Sequence, residues 1–204
     1  MTPDHRRSDI FATVLLSLAA LCTSWSGYQA TLWSGAQAQH SAEAAALRAK
    51  SSRASVSAGQ LLLLDVGLFN WWLRERVNGD ARLAQFIEAR FRPEFRAAFE
   101  SWLATDPLRS PAAAPSPFAS PAYHLESRDS AAMYEQAADS ASALGRVANR
   151  TSDGYVLAAV MLATVMFFAT SAQQATHRFR WVLLVIATLS FLVGAIRLLT
   201  LPRA

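Results

Sequence analysis

Cysteine occurs once, at Cys22, lysine once, at Lys50, and no proline falls between Asp4 and Arg92. A lone cysteine excludes an intrachain disulfide and any cysteine-based zinc site built by one chain. The four histidines, His5, His40, His124 and His177, stand far apart, in no spacing that suits metal ligation. Walker A, GxGxxG, GxSxG, HExxH and paired-cysteine motifs are all missing. Nothing therefore asks for a nucleotide, a metal or another cofactor, and the chain reads as non-enzymatic. Net charge is only +4 over 204 residues, too small a surplus to suggest a nucleic-acid partner. No internal repeat is visible.

Apolar residues are abundant, at 52% of the chain, and they are concentrated. Three runs, Ile10–Trp33, Tyr155–Ala172 and Trp181–Leu201, hold most of them. A helix rises about 1.5 Å per residue, so roughly 20 residues cross a bilayer core. Each run is expected to be a membrane span. The first contains no formal charge, and Trp25, Tyr28 and Trp33 gather toward its far end, where amphipathic rings suit the interface. A cleaved signal peptide is the competing reading of this run. The nearest A-x-A pattern, Ala36-Gln37-Ala38, lies well past the apolar core, which favours an uncleaved anchor. The second and third runs are separated by a short polar stretch and must form an antiparallel hairpin, with Arg197 able to snorkel near the end of the third.

The expected fold is all-α: three membrane helices, with a long helical stalk and a helical extramembrane domain inserted between the first two. The expected segments are an N-terminus over 1–9, spans over 10–33, 153–172 and 181–201, a loop over 173–180, and the inserted domain over 34–152. Arg6 and Arg7 precede the first span and Arg178 and Arg180 fall in the hairpin loop, on one side of the membrane. Arg48, Lys50, Arg146, Arg150 and Arg203 lie on the other side, five against four. The first four are closer to the spans and the first helix usually dominates, so the positive-inside rule favours that side as cytoplasmic and the inserted domain as periplasmic.

That domain carries 13 Lys/Arg against 12 Asp/Glu, the balance of a solvated helical surface. Without proline, the first helix can run on through 34–78 as a stalk of roughly 67 Å. Ala54, Ala58, Leu62, Val66, Phe69, Leu73 and Val77 give it an apolar stripe, with Gly35, Gly59 and Gly67 as places to bend. Asn78-Gly79-Asp80 reads as a stop, a turn and an N-cap, and Pro93 as a helix first position. Two short helices over 80–104 should therefore form an aromatic cap on Leu61–Leu73, using Leu83, Phe86, Ile87 and Phe91, then Phe95, Phe99, Trp102 and Leu103. Pro107, Pro111, Pro115, Pro117 and Pro121 exclude a helix over 105–125 and suggest an extended, polyproline-like return along the stalk. A helix over 126–152 would then feed the second span.

Candidate functional residues lie on the first span. Thr13, Ser17, Ser24, Tyr28 and Thr31 fall within about 60° on a helical wheel, and Gly35 continues the line. Such a stripe serves helix packing or lines a pore. Packing is favoured, because small and hydroxyl residues let helices approach closely. Gly27 adds small-xxx-small steps with Thr31 and Gly35, and Ser190 and Gly194 offer a similar face on the third span. Asp65 and Asn70 interrupt an apolar run and read as the solvent face of an amphipathic helix rather than an ion site. Arg90, Arg92 and Arg96 could attract phosphate, but Glu88–Arg92 and Arg96–Glu100 are spaced as helical ion pairs.

Two stretches, WSGYQATLWSGAQAQHSAEAAALRAKSSRAS and RFRPEFRAAFESWLATDPLRSPAAAPSPFASPAY, resemble a family of bacterial membrane proteins of no known activity with this order of spans. The resemblance covers most of the chain and implies a bacterial inner-membrane location. It carries no catalytic residues. The leading expectation is a self-associating interaction or scaffolding protein, with the lipid bilayer, further copies of itself and a membrane or periplasmic protein as partners. An oligomeric channel or transport subunit, with the first helix lining the pore, is the second reading. A membrane sensor is the third.

Overall fold

The computed structural model describes residues 3–110 and 112–203, without the side chains of residues 3–5, 177 and 178. Five α-helices follow in order: α1 (Pro3–Asn78), α2 (Ala81–Glu88), α3 (Pro93–Leu103), α4 (Glu126–Gln174) and α5 (His177–Thr200), with a 3-10 turn at Pro117–Ala119. No strand occurs among the described residues. By length and composition, α1, α4 and α5 are each able to cross a membrane. The chain forms two compact units, one of residues 1–44 and 139–204, the other of Ala45–Ala138.

In the first unit α1, α4 and α5 pack through small residues. Along α1 the buried positions step by four and three: Ser8, Ala12, Leu15, Ala19, then Ser26 and Gln29. That is the rhythm of a coiled-coil seam. Leu15 and Ala19 meet Val165 and Ala187, and Ala12 meets Ala172 and Leu184. Ser152 Oγ donates to the Ala30 carbonyl at 3.0 Å. Gly194 brings α5 against Leu162, where an added Cβ would lie 3.3 Å from that side chain. The link from α4 to α5 is only Ala175–Thr176, shorter than the eight-residue loop expected. Arg178 and Arg180 therefore belong to the first turn of α5. The side chain of Arg178 lies outside the described residues.

In the second unit the cap forms as the turn signals suggest. Gly79 takes φ 88°, Asp80 Oδ1 accepts from Leu83 N at 2.9 Å, and Pro93 opens α3. Phe69 and Trp72 of α1, Ile87, and Phe91, Phe95, Phe99 and Trp102 make one aromatic core. Its rings meet largely edge to face, as at Trp72–Phe99, 4.7 Å apart at 82°. Aromatic quadrupoles favour that geometry. Phe86 is an exception to the expected apolar face, half exposed beneath the Arg90 guanidinium at 3.3 Å.

The proline-rich stretch corrects an expectation. It is not an extended return. It folds in turns onto the cap, where Phe118 stacks on Phe95 at 5.1 Å and meets Phe69 edge-on at 5.7 Å. The Trp102 indole N–H donates to the Ala114 carbonyl at 2.7 Å. Proline removes helical hydrogen bonds but fits turns, and burying an aromatic ring outweighs solvating an extended strand. Pro111 lies outside the described residues. The expected stalk stripe holds except at its far end: Ala58 and Phe69 are buried and Ala54, Leu62, Val66 and Leu73 half-buried, but Val77 is exposed. The most buried column also takes in Ser51, Asp65 and Trp72 at steps of seven from Ala58, the 3.5-residue period of a seam that faces another helix. Within that column Ser51 Oγ donates to the Ala131 carbonyl at 2.9 Å.

Candidate functional site

The residues singled out on the first span all face outward. Thr13, Ser17, Ser24, Tyr28, Thr31 and Gly35 are exposed, and so is Gly27. At 100° per residue their stripe lies roughly 170° from the buried seam of the same helix. The two faces of this segment of α1 thus have separate tasks. One packs on α4 and α5, and the other is exposed, with Gln173 Nε2 approaching Thr13 Oγ1 at 3.5 Å. A Cβ added at Gly27 or Gly35 would find no atom within 4 Å.

The hydroxyls on this face are not left wanting. Thr13 donates to the Asp9 carbonyl at 2.8 Å, Ser17 to Thr13 at 2.9 Å, Ser24 to Ala20 at 3.0 Å and Thr31 to Gly27 at 3.0 Å. Each proton is used one turn back, as Ser and Thr do inside helices. Apart from the exposed Tyr28 ring, the stripe is therefore small in relief and locally satisfied. Gly194 and Ser190 do not join it. Gly194 is buried against α4, and Ser190 is half-buried on α5.

At the end of the bundle where α4 turns into α5, Arg180 is only 6% exposed. Its Nη1 donates to Asp9 Oδ1 at 2.9 Å and to Ser8 Oγ at 3.0 Å, and its Nη2 to the Gln173 carbonyl at 3.1 Å. The expected loop arginine is thus a clamp joining α1, α4 and α5. Arg6 and Arg7 are exposed on the first turns of α1.

The opposite end of the bundle is closed by the segment after α5. The Pro202 carbonyl accepts from Trp33 Nε1 at 3.2 Å and from the Tyr155 hydroxyl at 3.1 Å. Leu201 fills the notch over Gly154, where an added Cβ would lie 2.8 Å from Leu201 Cδ2. Sequence reading missed this latch because its donors are far apart in the chain and its acceptor is a backbone carbonyl.

The second unit holds one buried charge cluster, and it overturns two expectations. Asp65 is completely buried, not solvent-facing. It accepts from Arg92 Nε at 3.0 Å and Nη2 at 2.7 Å, and from the Tyr123 hydroxyl at 2.8 Å. Bidentate guanidinium–carboxylate pairing is among the strongest polar contacts a protein makes. Bonding to Asp65 raises Arg92 further above its already high value. Burial, and then the bond to Asp65, push the Tyr123 phenol well above the usual tyrosine range. Asp65 takes all three of these bonds, and Arg92 Nη1 also donates to Glu94 Oε2 at 3.3 Å, so the cluster is a tether among α1, the start of α3 and the proline-rich stretch. The expected Glu88–Arg92 pair is lost because α2 ends at Glu88 and Arg92 lies beyond it, as the N-cap of α3. Arg96 likewise donates to the Ala89 and Phe91 carbonyls, and Asn70 is exposed. A signal for Asp65 did exist: it stands seven residues from both Ala58 and Trp72, on the column that small residues mark.

No group of three or more His, Cys, Asp or Glu side chains able to hold a metal occurs among the described residues. No family model, no curated protein and no solved structure matches the chain.

Proposed function

We propose that the chain is a non-enzymatic, three-span protein of a bacterial inner membrane that self-associates through the outward face of α1 and presents its aromatic cap as an interaction module on the periplasmic side. The observation that carries this reading is the separation of faces on α1. Its seam is occupied within the chain, while Ser17, Ser24, Gly27, Thr31 and Gly35 lie exposed on the opposite side with open space above the glycines. In lipid, helices associate by close van der Waals approach, and small residues make that approach possible.

A channel lined by the same stripe is the second reading. The hydroxyls here donate to their own helix, which supports dry packing over a water-filled lumen. In a Cys22→Ala background, Ser24→Cys and Thr31→Cys should each form disulfide-linked dimers in native membranes, and Leu18→Cys, off the stripe, should not. A monomer by light scattering in mild detergent, with no crosslink from either stripe position, would sink the proposal. Solute flux through reconstituted protein would favour the channel instead.

A further inference from the structure

Between α1 and α5 runs a groove of about 340 Å³, lined by Leu21, Cys22, Trp25, Ala195, Leu199 and Arg203. Its walls are apolar apart from one end, where Arg203 stands. The latch explains why that arginine is there. Leu201 in its notch at Gly154, and two hydrogen bonds onto the Pro202 carbonyl, hold the backbone immediately before Arg203. The chain thus holds the backbone next to Arg203, whose exposed side chain lines one end of an apolar channel with Trp25 on the wall.

We propose that this groove binds one anionic glycerophospholipid, with an acyl chain along Leu21, Ala195 and Leu199 and the headgroup phosphate on Arg203. The inference rests on the membrane-spanning reading above. Three features match the ligand's chemistry in order along the groove. An apolar trough accepts a hydrocarbon chain. A tryptophan suits the depth at which headgroup meets chain. An arginine pairs with phosphate through a planar fork. A second helix would fit the trough, but it would give the guanidinium no anion.

Cys22, the chain's only cysteine, lines the groove and reports on its occupancy. The full chain is purified in mild detergent, exposed to dioleoyl phosphatidylglycerol or phosphatidylcholine, and examined by native mass spectrometry and by the rate of Cys22 methylthiolation. One phosphatidylglycerol per chain should be retained in preference to phosphatidylcholine and should slow Cys22 labelling. Arg203→Gln should weaken phosphatidylglycerol retention roughly tenfold, the size of one charge-assisted hydrogen bond. It should weaken phosphatidylcholine retention less, because the choline cation beside that lipid's phosphate already offsets part of its charge. Ala195→Leu, which fills the trough and spares the arginine, should weaken both lipids.

Equal retention of the two lipids, with neither variant altering it, would overturn the proposal. So would protection of Cys22 by inorganic phosphate alone, or protection that tracks protein concentration in lipid-free detergent, which would put a second copy in the groove. Incorporation into nanodiscs separates this failure from that of the parent reading. A chain that inserts but shows no lipid preference refutes the lipid site alone, whereas a chain that does not insert refutes both.

Discussion

Asp65 shows how far one side chain can depart from the reading its neighbours suggest. It sits within LLLLDVGLFNWWL, where an acid ordinarily marks the wet face of a helix. Here it is buried and bound to Arg92 and Tyr123. Removing one partner of a buried pair costs more than the pair itself contributes, because the other charge stays desolvated. Asp65→Ala should therefore destabilise the second unit by about 3 kcal/mol, read as a drop in urea midpoint by near-UV circular dichroism. Tyr123 adds a pH dependence. Its folded pKa is raised, so its contribution is whole below about pH 10, the value of an unfolded tyrosine, and is lost as pH climbs above that. Wild type should lose stability in that alkaline range, while Tyr123→Phe should start lower and decline less. Parallel declines would assign the alkaline loss to another group.

Among the elements, α1 is the one whose form was most legible. The long gap between prolines and the apolar periodicity both allowed one continuous helix, with Gly35, Gly59 and Gly67 as places to bend, and a single helix of 76 residues results. Its phase was less legible. Periods of 3.5 and 3.6 residues differ too little to separate on a short window, yet over several turns they decide whether Val77 or Trp72 is buried. The proline-rich stretch is the reverse case. Its exclusion from helix was plain, but its path depended on a ring finding a cavity in a core built by other segments. Phe118 is only partly buried, so Phe118→Ala should remove that anchor at a cost of about 2 kcal/mol. Limited proteolysis should then cut within 105–125 at least several-fold faster, with α2 and α3 intact. Unchanged cleavage would mean that Trp102 and Tyr123 hold the stretch without Phe118.

For the whole molecule, the two units cohere by different means. The first relies on small residues, a polar clamp at Arg180 and a backbone latch at Pro202. The second relies on aromatic rings around a buried ion pair. That difference fits the solvents proposed for each, since close small-residue packing works without a hydrophobic drive between helices, whereas ring burial exploits water. The proposed orientation follows from Arg6, Arg7, Arg178 and Arg180, because the positive-inside rule counts basic residues rather than net charge. The pairing of Arg180 with Asp9 therefore does not remove it from the count. Alkaline phosphatase fused after residue 110 should be active, and fused after residue 175 inactive. The opposite pattern would place the cap in the cytoplasm.

The sequence by itself determined the all-helical class, the number of helices able to cross a membrane, and where the cap helices start. These follow from apolar run length, proline placement and local capping, all of which act within a few residues along the chain. Only the tertiary structure decided which face of α1 is left outward, that Asp65 is buried, that Arg180 is a clamp, and that Arg203 is held beside a groove. Each of these depends on partners brought together from distant segments. Residue type limits what such a meeting can do, but packing decides which residues meet.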